Sequence, residues 1–421
     1  MIPRAAIDKK VVAWAMYDWA NSAFALSVMA VLYPLFLGSY WSAGASGSSV
    51  TARLAWITAA GNAAVAILAP VFGTIADAGG YRKRFLVVLA TIGACMTALL
   101  GLVGEGDWPW ALALYMLASI GFYSSNVFYD SLLVDVTEER YYSFVSALGF
   151  ALGYLGGAAL LAINVWMLKS PATFGLADAN SAIRFAFVSV GAWWALFLAP
   201  LVLFVPEQKR ALSATGHTVR TAYRRLRATI VEVRKYRDAA VFLAAYLLYV
   251  GGVFTVIFMA VNFGQRLGFS NFDLVVALMI TNFAGFPATL LYGFLGHRYG
   301  PRRGIYFALA VYIGVCCWAG FMTTIGQFYA LAIIVGCVQG GAQGLSRSLY
   351  ASLIPQDQPG EFFGFYNMVT KASHVIGPIL VGIAALLSDE PKFVLLALLP
   401  LFIGGAAILT RVRGDGQPAA T

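Results

Sequence analysis

The sequence predicts an all-α integral membrane protein: twelve transmembrane helices arranged as two pseudo-symmetric six-helix halves. Three observations carry that prediction. Of the 421 residues, 60% are hydrophobic and only 11% are charged, against about 25% charged in a soluble domain. Apolar runs long enough to cross the hydrocarbon core, which takes roughly 20 helical residues, recur twelve times. A short pattern also repeats. GTIADAGGYRKR (73–84) and GFLGHRYGPRR (293–303) each follow the second run of a half, and Gly73 and Gly293, Gly80 and Gly300, and Gly157 and Gly377 share one common offset. Duplication of this kind gives two halves of like topology.

The runs fall near 12–37, 53–76, 85–104, 109–134, 142–168 and 184–205, and again near 239–265, 272–296, 304–325, 327–354, 362–387 and 392–410. The opening MIPRAAIDKK leads into the first run without a small-residue cleavage site, so that run reads as a retained helix and not a signal peptide. The domains are accordingly 1–205, an N-terminal six-helix bundle, and 239–421, a C-terminal one. Between them, 206–238 is basic. Val219, Tyr223, Leu226, Ile230 and Val233 recur at helical spacing, with Arg220, Arg224, Arg225, Arg227, Arg234 and Lys235 mostly on the remaining surface. That pattern predicts an amphipathic helix lying on the membrane, as a tether between the halves or as a sensor of anionic lipid.

Charge orients the chain. Arg82, Lys83 and Arg84, Arg298, Arg302 and Arg303, the basic linker and both termini share one face. The opposite face carries only Arg53, Lys169, Arg184, Arg266 and Lys392. The positive-inside rule therefore places both termini in the cytoplasm. The net charge of +9 then reflects topology and lipid headgroups, and no nucleic-acid partner is implied. Abundant Ala, Gly and Arg with little Lys suggest a bacterium with GC-rich DNA, hence its cytoplasmic (inner) membrane. Cys95, Cys316, Cys317 and Cys337 all lie in apolar segments, and only His374 of the three histidines does so. No disulfide framework, metal or cofactor is expected, and a monomer is.

GTIADAGGYRKR resembles the loop between helices two and three of the major facilitator superfamily, usually written G-x-L-x-D-x-x-G-x-[RK]-[RK]. Asp77 takes the acidic position and Arg82 and Lys83 the basic ones; His297 replaces the acid in the second copy. YDWANSAF (17–24) is similar to the signature of the Unknown Major Facilitator family, whose eukaryotic relatives are the autophagy-related vacuolar amino-acid effluxers. FYDSLLVD (128–135), SALGFALGYLGG (146–157), GGAQGLSRSLYASLIP (340–355) and EFFGFYNMVTK (361–371) fit the same family. One departure lies in the seventh run. Members often carry Asn-Asp-Gly after a tyrosine there, whereas Tyr249 is followed by Val250, Gly251 and Gly252. The resemblance implies the major facilitator fold and solute transport, with helices 1, 4, 7 and 10 lining a central cavity and amino acids or peptides as first substrates.

Charges at bilayer depth are costly and mark functional paths. Here they are Asp18 in run 1, Asp130 in run 4, Arg347 in run 10, and Lys371 in run 11, with His374 one turn on. Residues three and four apart share a helix face. Asp18 thus groups with Asn21 and Ser22, Asp130 with Asn126 and Tyr123, Arg347 with Gln339, Gln343 and Tyr350, and Lys371 with Asn367 and His374. Four polar stripes on apolar helices predict a common aqueous cavity; simple ion pairing between helices is the bland alternative. The candidate substrate-binding residues are Arg347, Lys371, Asn21, Asn126, Gln339, Gln343, Asn367 and Tyr350, because a long cation anchors carboxylate or phosphate. Asp18, Asp130 or His374 would carry a coupling proton. Gly149, Gly153, Gly156 and Gly157 predict close helix packing.

The loop residues have a separate expected task. Asp77 would sit against a helix N-terminus, and Arg82 or Arg84 would reach Asp135. By the repeat, Arg302 and Arg303 would pair with Glu361. With Lys83, these form a gating set that biases the equilibrium between access states. The leading reading is a secondary active transporter of a small anionic or zwitterionic organic solute, amino-acid-like or peptide, working by alternating access. Protons or sodium are the candidate coupling ions. The alternatives are a lipid, amphiphile or drug transporter of the same fold, and a transporter-like membrane sensor. No zinc-protease motif, P-loop or nucleophile elbow occurs, so an enzyme is not expected.

Overall fold

The computed structural model describes residues 7–207, 236–387 and 395–413. The amphipathic helix expected within 206–238 lies almost wholly outside the described residues. Twelve helical segments follow one another among those described. They are α1 (Lys9–Trp41), α2 (Gly47–Gly79), α3 (Arg82–Leu100), α4 (Trp108–Val136), α5 (Tyr142–Lys169) and α6 (Ala179–Phe204), then α7 (Arg237–Arg266), α8 (Asn271–Tyr299), α9 (Pro301–Ala319), α10 (Ile325–Leu353), α11 (Pro359–Leu387) and α12 (Leu399–Leu409). Nine spans among the described residues are long and apolar enough to cross a membrane.

Local chemistry sets the boundaries. Asp8 caps α1 by accepting from Val11 N at 2.9 Å, and Thr324 and Gln327 form a reciprocal capping box at the start of α10, satisfying otherwise orphaned N–H groups. That box, with Gly320 ending the preceding helix, stops α9 at Ala319, short of the expected run 304–325. Gly80 ends α2 with φ 66°, a left-handed conformation suited to glycine, and the chain turns at once into α3. Within α1 the backbone widens to a π-helical register over Phe24–Leu32. Such widening is frequent at functional sites, and here it begins two residues after Ser22.

The halves meet along α2 with α11, α5 with α8 and α10, and α4 with α11. At the end of the molecule that carries the basic loops, the approach is close. Ser143 and Ser348 hydroxyls lie 2.9 Å apart, Ser146 donates to the Gly344 carbonyl at 2.8 Å, and His297 Nδ1 meets the Arg140 carbonyl at 2.7 Å while stacking on Tyr141. The two basic loops therefore lie at the end where the two halves are sealed together.

Candidate functional site

The intramembrane charges gather at the seam between the halves. Arg347 and Asp130 form a buried ion pair, Nη1 to Oδ1 at 2.9 Å. Arg347 also donates through Nε to the Ser146 hydroxyl and through Nη2 to the Ser146 carbonyl, each at 2.8 Å. Its guanidinium carbon lies 5.0 Å from the Trp14 ring centroid, 5.1 Å from that of Tyr129 and 4.3 Å from that of Phe150. Asp130 takes a second donor, Asn367 Nδ2 at 3.2 Å. Arg347 is 2% exposed, and three of its N–H groups are already engaged by the first half.

Asp18 stands next to this pair. It accepts from Tyr129 OH at 3.3 Å and, more weakly, from Ser22 at 3.4 Å. Two glycines of α5 make room: a Cβ on Gly153 would lie 3.1 Å from Asp18 Oδ1, and one on Gly149 would lie 3.2 Å from both Arg347 Nη2 and the Trp14 ring. The helix-packing glycines thus also bring α5 against the charged cluster. One turn along α1, Asn21 donates to Asn126 Oδ1 at 2.7 Å.

Lys371 is different. It is 5% exposed, its Nζ has no hydrogen-bond partner among the described residues, and it sits 2.6 Å from the Tyr123 ring centroid. Tyr123, Asn126 and Asp130 are successive turns of one face of α4, so three levels line the seam: the Lys371 ammonium over Tyr123, the Asn21–Asn126 amide pair, and the Asp130–Arg347 pair. His374, one turn from Lys371, packs edge-on against Phe254 and Phe258, and its Nε2 has no partner among the described residues. Gln339 and Gln343 are half-buried on α10. Tyr350 is fully buried away from these levels; it stacks on Phe242 and Tyr366 and donates to the Phe362 carbonyl at 2.9 Å.

At the basic end, Arg82 bridges Asp77 at 3.4 Å and Asp135 at 2.9 Å, all three nearly enclosed. Asp77 Oδ2 accepts the Glu361 backbone N–H at 2.8 Å, placing a carboxylate at the N-terminus of α11, where the helix dipole favours it. Lys83 donates to the Val202 carbonyl at 2.8 Å and Arg84 pairs with Glu207 at 2.9 Å, tying α3 to the end of α6. Glu361 is buried, Arg302 half-buried and Arg303 exposed.

Sequence reasoning passed over Ser146, Tyr129, Trp14 and Phe150. Trp14 lies just before the YDWANSAF signature, and the other three lie inside the glycine-rich and FYDSLLVD stretches.

Two six-helix halves meeting at a buried polar seam define a major facilitator protein. The chain superposes on the major facilitator superfamily proton:xylose symporter XylE with a TM-score of 0.72 at 14% identity, covering 98% of each chain. It belongs to the family described as vacuole effluxer Atg22 like, whose model matches residues 49–139 and 134–415. It is 36% identical over 402 residues to the uncharacterized MFS-type transporter YxiO of Bacillus subtilis (strain 168), covering 95% of this chain and 94% of that one. It is also 23% identical over 450 residues to autophagy-related protein 22 of Eremothecium gossypii, covering 90% and 85%. The protein is thus an integral membrane transporter and not an enzyme.

Proposed function

We propose that the protein moves a small carboxylate-bearing organic solute, zwitterionic or anionic, by alternating access, with Lys371 as the anchor. The observation that carries this reading is the Lys371 Nζ: buried at the seam, against Tyr123, and without a hydrogen-bond partner among the described residues. A buried charge without a counter-charge is costly, and a carboxylate supplies one. Asn21, Asn126, Asn367, Gln339 and Gln343 would complete the solute's hydrogen bonds. Arg347 and Asp130 hold the halves together around it, and Tyr350 packs the second half's wall from within. An amino acid or short peptide is the solute that the resemblance of YDWANSAF implies; the family description supports solute efflux.

The basic end is read as cytoplasmic in a bacterial inner membrane, with 206–238 as the tether that joins a monomer's halves. Asp77, Arg82 and Asp135, with Glu361, Arg302, Arg303, Lys83 and Arg84, gate that end. In proteoliposomes, Lys371→Ala lowers counterflow of labelled amino acids and dipeptides by about tenfold or more, the size of a lost charged hydrogen bond, while Lys371→Arg retains part of it. Undiminished counterflow in Lys371→Ala overturns the anchor.

Coupling is assigned to protons. Asp130 is paired with Arg347, Asp18 accepts only weakly from Tyr129 and Ser22, and His374 Nε2 has no partner among the described residues, so Asp18 and His374 are the candidate carriers and His374 is tested first. His374→Gln keeps counterflow, which needs no driving ion, and loses accumulation driven by a pH gradient. Unchanged gradient-driven accumulation would remove His374 from coupling.

A further inference from the structure

Arg347 enters its surroundings as a plug enters a socket. The side chain comes from α10 of the second half, yet among the described residues every polar or aromatic group contacting its guanidinium belongs to the first. Trp14 comes from α1, Tyr129 and Asp130 from α4, and Ser146 and Phe150 from α5. Three ring faces surround the cation, a geometry that stabilises cations, arginine above all. The socket is held from behind: Trp14 stacks on Tyr129 with centroids 4.3 Å apart and donates from Nε1 to the Tyr129 carbonyl at 2.9 Å. Tyr129 OH in turn donates to Asp18 at 3.3 Å. Two carboxylates, Asp130 directly and Asp18 through Tyr129, therefore face one cation. Gly149 leaves the space the Nη2 group fills.

None of these walls belongs to the half that supplies the plug. When the halves separate at this end, Arg347 withdraws and the first half keeps an aromatic, doubly acidic pocket shaped for a guanidinium. Leaving it empty would strand Asp130 and Asp18 without a counter-charge. We propose that this socket is a second solute subsite, specific for a guanidinium or similar planar cation, which the chain fills with its own Arg347 when the seam is closed. A solute with a guanidino group takes the socket when the seam opens. The inference goes beyond the carboxylate reading of Lys371 and stands without it. Combined with it, the favoured solute is an amino acid with a basic, planar side chain.

The test removes the plug. In purified Arg347→Ala, millimolar methylguanidinium raises the melting temperature by several degrees over an equal concentration of choline, through mass action on a folded-state site, and Trp14→Leu in the same background cancels the effect. In wild-type protein, arginine binds at least about tenfold more tightly than citrulline, its uncharged isostere, as expected for a charge-assisted site. Equal stabilisation by methylguanidinium and choline, with Arg347→Lys folded as a control for the scaffold, overturns the socket. So does equal binding of arginine and citrulline. Agmatine, which lacks the carboxylate, separates the two readings: agmatine binding as tightly as arginine sinks the Lys371 anchor and leaves the socket standing.

Discussion

Arg347→Ala is expected to abolish transport in reconstituted vesicles and to lower thermal stability more than any other single substitution at the seam. The reason is asymmetry. Removing one member of a buried, hydrogen-bonded ion pair leaves an uncompensated charge, at a cost of roughly 3–5 kcal/mol. In this chain Asp130 would keep only Asn367 as a donor among the described residues, and the Ser146 carbonyl would lose its Nη2 partner. Neutralising both sides removes the stranded charge, so the double variant Asp130→Asn with Arg347→Ala is expected to recover part of the stability and none of the transport. A double-mutant cycle on melting temperature reads the coupling directly. Additive effects of the two single changes would show that the pair does not act as a unit.

The second large effect is expected at Gly73, where bulk is excluded by backbone. A Cβ built there would collide with the Gly360 carbonyl oxygen and lie 2.8 Å from its carbon and 3.2 Å from Glu361 N. Backbone cannot move aside as a flexible side chain can. Gly73→Leu therefore prevents α2 from meeting α11 and breaks the Asp77 contact with the Glu361 N–H. Packing within each half is left intact. Transport is expected to fall by about an order of magnitude or more, with melting temperature little changed, the loss sitting in a conformational step and not in folding. Gly38→Ala serves as the contrast, since its new methyl would make only an ordinary contact with Val50 at 3.7 Å. Wild-type transport rates in Gly73→Leu would show that this approach is not needed for turnover.

The fold was legible because bilayer physics leaves few choices: long apolar runs must be helices, and the glycines at a common offset mark the duplication. The charged stripes were legible too, since residues such as Asp18, Asp130 and Lys371 stand out against apolar neighbours. Their pairing was not. Asn21 meets Asn126, and Asp130 meets Arg347, across helices far apart in sequence, and nothing local encodes which stripe faces which. Arg347 had the signature of a free anion anchor; only three dimensions show Ser146 taking two of its N–H groups. Ser146 sits in a stretch whose glycines spoke of packing, and a serine there gives no sign of gripping an arginine. Tyr350 lies in register with Arg347 along α10, yet faces an aromatic cluster. Helical spacing assigns a face but not the neighbour that covers it.

The buried seam, pinned by Arg347, decides which end of the molecule is closed. Spin labels at Tyr81 and Asp357 report the separation of the halves at the basic end, and labels at Phe174 and Phe321 report the opposite end; all four positions are exposed. Pulsed electron paramagnetic resonance on wild type and Arg347→Ala in lipid nanodiscs should show the first pair moving apart and the second drawing together when the pin is lost. Both distances unchanged, or both increased together, would contradict the claim.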